Sequence, residues 1–151
     1  MSDRLVPELV RTPLASSRKD EILRELSAIL ATGAGVPDSA GEIFEAIMRR
    51  EAVLSTGIGQ GVALPHAKCS CLSGPAMAAG TTAEPVDFDS LDGAPVRLVW
   101  MLAGPERAAG RHVRMLAAVS ELLRSEQLRI GLTEAATPAE FIARLSEAES
   151  A

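Results

Sequence analysis

Tyrosine is missing from this chain of 151 residues, and its aromatic rings are limited to Phe44, Phe88, Phe141 and Trp100. The interior must therefore be aliphatic, and an apolar content of 47% supplies enough Leu, Ile, Val, Ala and Met for one core. A single domain spanning 1–151 is expected. Positive charge is also scarce: fifteen Lys and Arg against twenty Asp and Glu leave a formal charge of −5. That balance speaks against a nucleic-acid partner, which calls for a basic face. No apolar run reaches the roughly 18 residues that cross a bilayer. Asp3, Arg4 and Glu8 stand where a signal peptide would be apolar, so a cytoplasmic protein without membrane insertion is expected. Cysteine is confined to Cys69 and Cys71. On a strand their Cα atoms would lie about 6.6 Å apart, the outer limit for an unstrained disulfide, and free thiols fit a reducing compartment.

No repeat or low-complexity tract divides the chain. After a short extended lead from Leu9 to Leu14, the apolar residues Ile22, Leu23, Leu26, Ile29 and Leu30 recur at helical spacing until Gly33 and Gly35. Ser39 and Glu42 form a capping-box pattern for a second helix with Ile43, Phe44, Ile47 and Met48 inward, which reaches about Arg50. Arg49 and Arg50 then suit the negative end of the helix dipole. Strand-like pieces follow over Gly61 to Ala67, Ala76 to Thr82 and Val96 to Ala103, the last apolar enough to be covered on both faces. Val113, Leu116, Val119 and Leu123 restore helical spacing. A last helix is announced by Thr137 as cap, Pro138 and Glu140. This order predicts an α/β fold, a single mixed β-sheet of about five strands flanked by helices on both faces.

The chain has two histidines, and His66 is placed for phosphate chemistry. Pro65 restrains the backbone leading into it. Gly57, Gly59 and Gly61 permit left-handed backbone whose amides can form an anion-binding nest. Ser55 and Thr56 add hydroxyl donors, and Arg50 offers a planar cation able to hold two phosphate oxygens. His112, at the start of the next helix, shares the inward stripe with Leu116, Val119 and Leu123. A helix N-terminus disfavours imidazolium, so a neutral His112 is expected to donate a hydrogen bond to a phosphoryl oxygen. Phosphoryl transfer needs positioning and donors around a nucleophile, and His66 is the best nucleophile present.

The segment from Arg50 through Glu-Ala-Val-Leu-Ser-Thr-Gly-Ile-Gly-Gln-Gly-Val-Ala-Leu-Pro to His66 resembles the phosphorylation-site signature of the enzyme IIA domains of the bacterial phosphoenolpyruvate-dependent phosphotransferase system, in the fructose, mannitol and nitrogen-regulatory class. Glu84 to Val96, leading into the apolar strand, and His112-Val-Arg-Met-Leu-Ala-Ala-Val resemble the same family. The likeness implies a histidine at 66 that accepts a phosphoryl group from an HPr-type carrier and passes it on, with Nε2 as the attacking nitrogen. It implies a second active-site histidine at His112 and a phosphate-contacting Arg50. A IIB domain or regulatory target proteins are the implied downstream partners, with the nitrogen-regulatory type favoured by length and by the leading segment.

No cofactor is called for by these residues. A rival reading is a non-catalytic regulatory module that binds protein partners. A weaker one follows from the Cys-Ser-Cys tripeptide, which departs from the family signature: His66, Cys69, Cys71 and His112 together would make a zinc-binding ligand set. Strand alternation, however, turns His66 away from the face that carries the two cysteines.

Overall fold

The computed structural model describes residues 1–150. Its elements in chain order are β1 (Val10–Arg11), α1 (Lys19–Gly33), α2 (Ala40–Val53), β2 (Gly57–Gly59), β3 (Val62–Ala63), β4 (His66–Lys68), β5 (Ala76–Val86), β6 (Val96–Gly104), α3 (Ala109–Leu122), α4 (Glu126–Glu134) and α5 (Pro138–Ser150). The sheet is mixed and has six strands, one more than expected, in the order β1-β5-β6-β3-β2 with β4 also paired to β6. No helix among the described residues is long and apolar enough to cross a membrane.

β6 organises the sheet. β5 runs antiparallel along one edge of it, and β3 and β4 run parallel along the other. Its residues alternate between two cores, as a fully covered strand should. Val99, Met101 and Ala103 pack with Leu23, Leu26 and Leu30 of α1 and Ile43 and Ile47 of α2. Leu98, Trp100 and Leu102 pack with Met115 and Val119 of α3, Leu128 and Leu132 of α4, and Phe141 and Leu145 of α5. Helices therefore cover both faces, as the element order predicted.

Several local expectations change. The strand read as Gly61 to Ala67 is two pieces, because Pro65 has no N–H to continue a ladder and the amide of Leu64 turns to the carbonyl of Thr56 at 3.0 Å. Ser39 does not cap α2 with its side chain. It closes a 3-10 turn (Pro37–Ser39) at φ −96° and ψ 6°, away from the extended geometry that aims a cap hydroxyl at the helix amides. α2 runs on to Val53, past the expected end near Arg50. Val113, expected inward, is 60% exposed, because the buried stripe of α3 runs through His112, Met115 and Val119, one residue away around the helix. α4 was not anticipated as a separate helix, although Ser125 caps it by accepting from the amide of Leu128. At α5 the expected cap forms: Thr137 Oγ1 accepts from the amide of Glu140 at 3.1 Å, and the Glu140 carboxylate accepts from the amide of Ala136 at 2.9 Å.

Trp100 and Phe141 anchor the second core, with ring centroids 6.2 Å apart and neither ring exposed. Replacing Phe141 by Ala removes a large filler from a site walled by helices and sheet. A loss of about 3–5 kcal/mol is expected, measurable by urea unfolding through the fluorescence of the chain's one tryptophan.

Candidate functional site

β4 is only three residues long, yet its pairing places His66 closely. His66 lies opposite Leu102, and Lys68 opposite Gly104, in parallel register on β6. Leu102 belongs to the core under α3, so residues 66 and 68 share that face while Ala67 turns to the α1 and α2 side. The ring of His66 is fixed by one local bond, Nδ1 to the carbonyl oxygen of Leu64 at 2.8 Å. A carbonyl accepts only, so Nδ1 carries a proton, and the neutral tautomer compatible with this bond keeps its lone pair on Nε2.

His112 stands opposite, with the two ring centroids 6.0 Å apart and the planes tilted by 52°. It is nearly buried, and its Nδ1 has no hydrogen-bond partner. An N–H there would be left without an acceptor, so the neutral ring holds its proton on Nε2. Gly104 lies beneath the ring: a Cβ on it would be in ordinary contact with His112 Nδ1 at 3.5 Å but tight against the Cα of Pro75 at 3.2 Å. Burial lowers the pKa of His112 below its ordinary value of 6.5, and the nearby His66 and Lys68 lower it further. The expected neutral state therefore follows chiefly from desolvation.

A cleft of about 380 Å3 opens between α2 and α3 across the edge strand β4. Its walls carry Arg49, Arg50, His66, Lys68 and His112, with Val113 and Leu116 on the α3 side. Three permanent cations thus surround the histidines in a chain of net charge −5. Arg50 donates from Nη1 to the carbonyl oxygen of Leu54 at 2.6 Å, which leaves the rest of its guanidinium for the cleft. Arg49 lines the same cleft. Lys68 was not singled out, although its place two residues after His66 puts it on the same strand face. It makes a 3.6 Å ion pair with the exposed Glu106.

Ser55 and Thr56 are not brought to the cleft. Ser55 donates to the carbonyl of Phe88 at 2.6 Å and accepts from the amide of Gly57 at 3.0 Å. Thr56 is buried and gives both its hydroxyl and its amide to Glu51, which also pairs with Lys19 Nζ at 2.8 Å. These hydroxyls hold the turn that follows α2. The glycine turn does reach positive φ at Gly59, Gln60 and Gly61, but its anion is internal. The Asp92 carboxylate accepts from the amides of Ala94 at 2.9 Å and Gln60 at 3.0 Å, and those bonds hold its pKa below the usual carboxylate value.

The zinc set of His66, Cys69, Cys71 and His112 is not assembled. The cysteines occupy a turn after β4, where Cys69 donates its amide to the carbonyl of Gly104 and Leu72 donates to the carbonyl of Cys69. This turn, and not a strand, brings the sulfurs to 2.8 Å. Both are free thiols, and their neighbour is Glu42 of α2. Burial, then Cys69 and Glu42, push the Cys71 thiol up to about 12.

Residues 5–148 match the family model described as "Phosphoenolpyruvate-dependent sugar phosphotransferase system, EIIA 2". The chain is 37% identical over 135 residues to the fructose-specific EIIABC component of Bacillus subtilis, a match covering 89% of this chain and 21% of that protein. It is 35% identical over 128 residues to the nitrogen regulatory protein of Bradyrhizobium diazoefficiens, covering 85% and 82% respectively. The crystal structure of nitrogen regulatory protein IIA-Ntr from Neisseria meningitidis superposes with a TM-score of 0.86 at 30% identity, over 95% of this chain and 97% of that one.

The depressed pKa of His112 has a consequence for stability. The fold prefers the neutral ring, so the unfolded chain binds the proton first as pH falls. Stability from this group is complete above about 6.5 and is lost as pH drops through the lowered folded value. Urea midpoints measured between about pH 7.5 and 5.5 should fall in the wild type. They should fall less in His112→Gln, and parallel curves would remove the assignment.

Proposed function

The chain belongs to the EIIA 2 family of the phosphoenolpyruvate-dependent sugar phosphotransferase system, a family of phosphotransferase components, and on that basis we propose that His66 is its phosphoryl acceptor. Residues 1–151 would act as one phosphocarrier domain. The observation that carries the proposal is the His66 ring itself: its Nδ1–H is held by the Leu64 carbonyl, a tautomer that in the neutral ring offers the Nε2 lone pair, and the ring faces His112 in a cationic cleft.

The transfer balances without an added base. The Nε2 lone pair of His66 attacks the phosphorus of a phosphohistidine on an HPr-type carrier. The new P–Nε2 bond forms as the donor P–N bond breaks, and the electron pair of that bond returns to the donor imidazole. His66 retains its Nδ1 proton, so the phosphorylated ring gains positive charge and its bond to the Leu64 carbonyl strengthens. His112 donates its Nε2 proton to a phosphoryl oxygen as a hydrogen bond. Arg49, Arg50 and Lys68 offset the charge that accumulates on the equatorial oxygens. Exposed Val53, Leu54 and Val113 give the docking protein an apolar footing beside the cations.

The nitrogen-regulatory reading is supported by the likeness to the solved IIA-Ntr of Neisseria meningitidis, which superposes with a TM-score of 0.86 at 30% identity. On this reading the phosphoryl group is a switch: its dianion offsets much of the positive charge of the cleft, and a target protein reads the difference. A IIB protein is the acceptor in the relay alternative.

Incubation with phosphoenolpyruvate, the first phosphotransferase and the carrier should place one acid-labile phosphoryl group in the peptide 60–68. His66→Ala should take none, and retained labelling would overturn the assignment. His112→Ala should reach the same endpoint about a hundredfold more slowly. Onward movement of the label to a IIB protein would replace the switch by the relay. A second expectation concerns charge: a phosphoryl dianion beside His112 favours its protonated form, so the NMR-detected pKa of His112 should rise on phosphorylation.

A further inference from the structure

The cysteine turn lies outside the phosphoryl cleft and has no part in the transfer. Cys69 and Cys71 converge because the backbone turns at Ser70, and because the Cys69 amide is tied to the carbonyl of Gly104 at 2.8 Å. Their sulfurs lie 2.8 Å apart, and Glu42 approaches from α2 so that all three donor atoms lie within 4.8 Å of one another. Cys69 is buried, Cys71 is half-buried and Glu42 is exposed, which leaves an approach from solvent. We propose that Glu42, Cys69 and Cys71 form a zinc site that joins α2 to the segment leaving β4.

The donor set selects the ion. Two thiolates favour a soft or borderline cation, and one carboxylate oxygen completes a three-ligand set that zinc accepts, with water in the fourth position. Binding releases the two thiol protons and forms two Zn–S bonds and one Zn–O bond, with no change of oxidation state. Zn–S bonds of about 2.3 Å at tetrahedral angles hold two sulfurs roughly 3.7 Å apart. The pair therefore opens slightly on binding, with the half-buried Cys71 on the solvent side of the buried Cys69. A redox role is less well served by this surrounding. The Glu42 carboxylate opposes a bare thiolate, whereas reactive cysteines sit in electropositive places, and a bound cation is what that carboxylate would stabilise.

The ion would tie together two segments that carry the cleft, since α2 carries Arg49 and Arg50 and β4 carries His66 and Lys68. The site is independent of the phosphoryl assignment, so either can fail alone.

The test uses the full chain purified under reducing conditions, with zinc and cobalt as probes. Native mass spectrometry should show one zinc per chain, and cobalt should give thiolate-to-cobalt charge-transfer absorption with tetrahedral d–d bands. Cys69→Ser with Cys71→Ser should lose both signals. Glu42→Gln, which sits on an exposed helix face and should fold normally, should weaken zinc in a chelator competition by tenfold or more. Zinc should raise the melting temperature of the wild type more than that of Glu42→Gln. Equal zinc affinity in Glu42→Gln would overturn the three-ligand site. Absence of sulfur-to-cobalt bands would overturn it too, as would recovery of a Cys69–Cys71 disulfide in a reducing glutathione buffer with no zinc uptake.

Discussion

The site depends on the parallel pairing of β4 with the last residues of β6. Three residues of edge strand would not hold a position by themselves. β6 is buried on both faces and cannot shift its register without moving side chains between two cores. By pairing with Leu102, Ala103 and Gly104, β4 inherits that fixed register. Pro65 interrupts the ladder immediately before it, and the amide of Leu64 leaves for the turn after α2. The carbonyl of Leu64 is then available to the His66 ring, so the break that ends β3 also orients the imidazole.

The electrostatics of the cleft reverse those of the whole chain. A net charge of −5 coexists with Arg49, Arg50 and Lys68 around the rings of His66 and His112. Two carboxylates near the turn that follows α2 are paired internally: Glu51 with Lys19 and Thr56, and Asp92 with the backbone amides of the glycine turn. Internal pairing keeps those carboxylates out of a cleft that must receive an anion. Burial favours the neutral form of His112.

Glycine turn and hydroxyls illustrate how one residue pattern can serve two ends. Gly59, Gln60 and Gly61 do adopt the positive φ that makes a nest, and the nest does meet a carboxylate, but the carboxylate is Asp92, 32 residues on from Gln60. Ser55 and Thr56 do make hydrogen bonds, to Phe88 and Glu51. Sequence alone could assign the hydrogen-bonding capacity of these groups and not their partners, because the partners come from segments more than local in one case and from a helix end in the other.

Helix periodicity, the apolar run at Val96 to Ala103 and the density of signals around His66 are local properties, and from them the layered α/β architecture and the two histidines were legible without coordinates. The alternation of β4 also carried Lys68, a signal present but unused. What local pattern could not decide was set by contacts remote in sequence: the bond from Ser55 to the carbonyl of Phe88, the bond from the Gln60 amide to Asp92, and the meeting of Cys69 and Cys71 with Glu42. Side-chain periodicity is written into the chain by backbone geometry. The pairing of remote polar groups is settled only when burial forces each of them to find a partner.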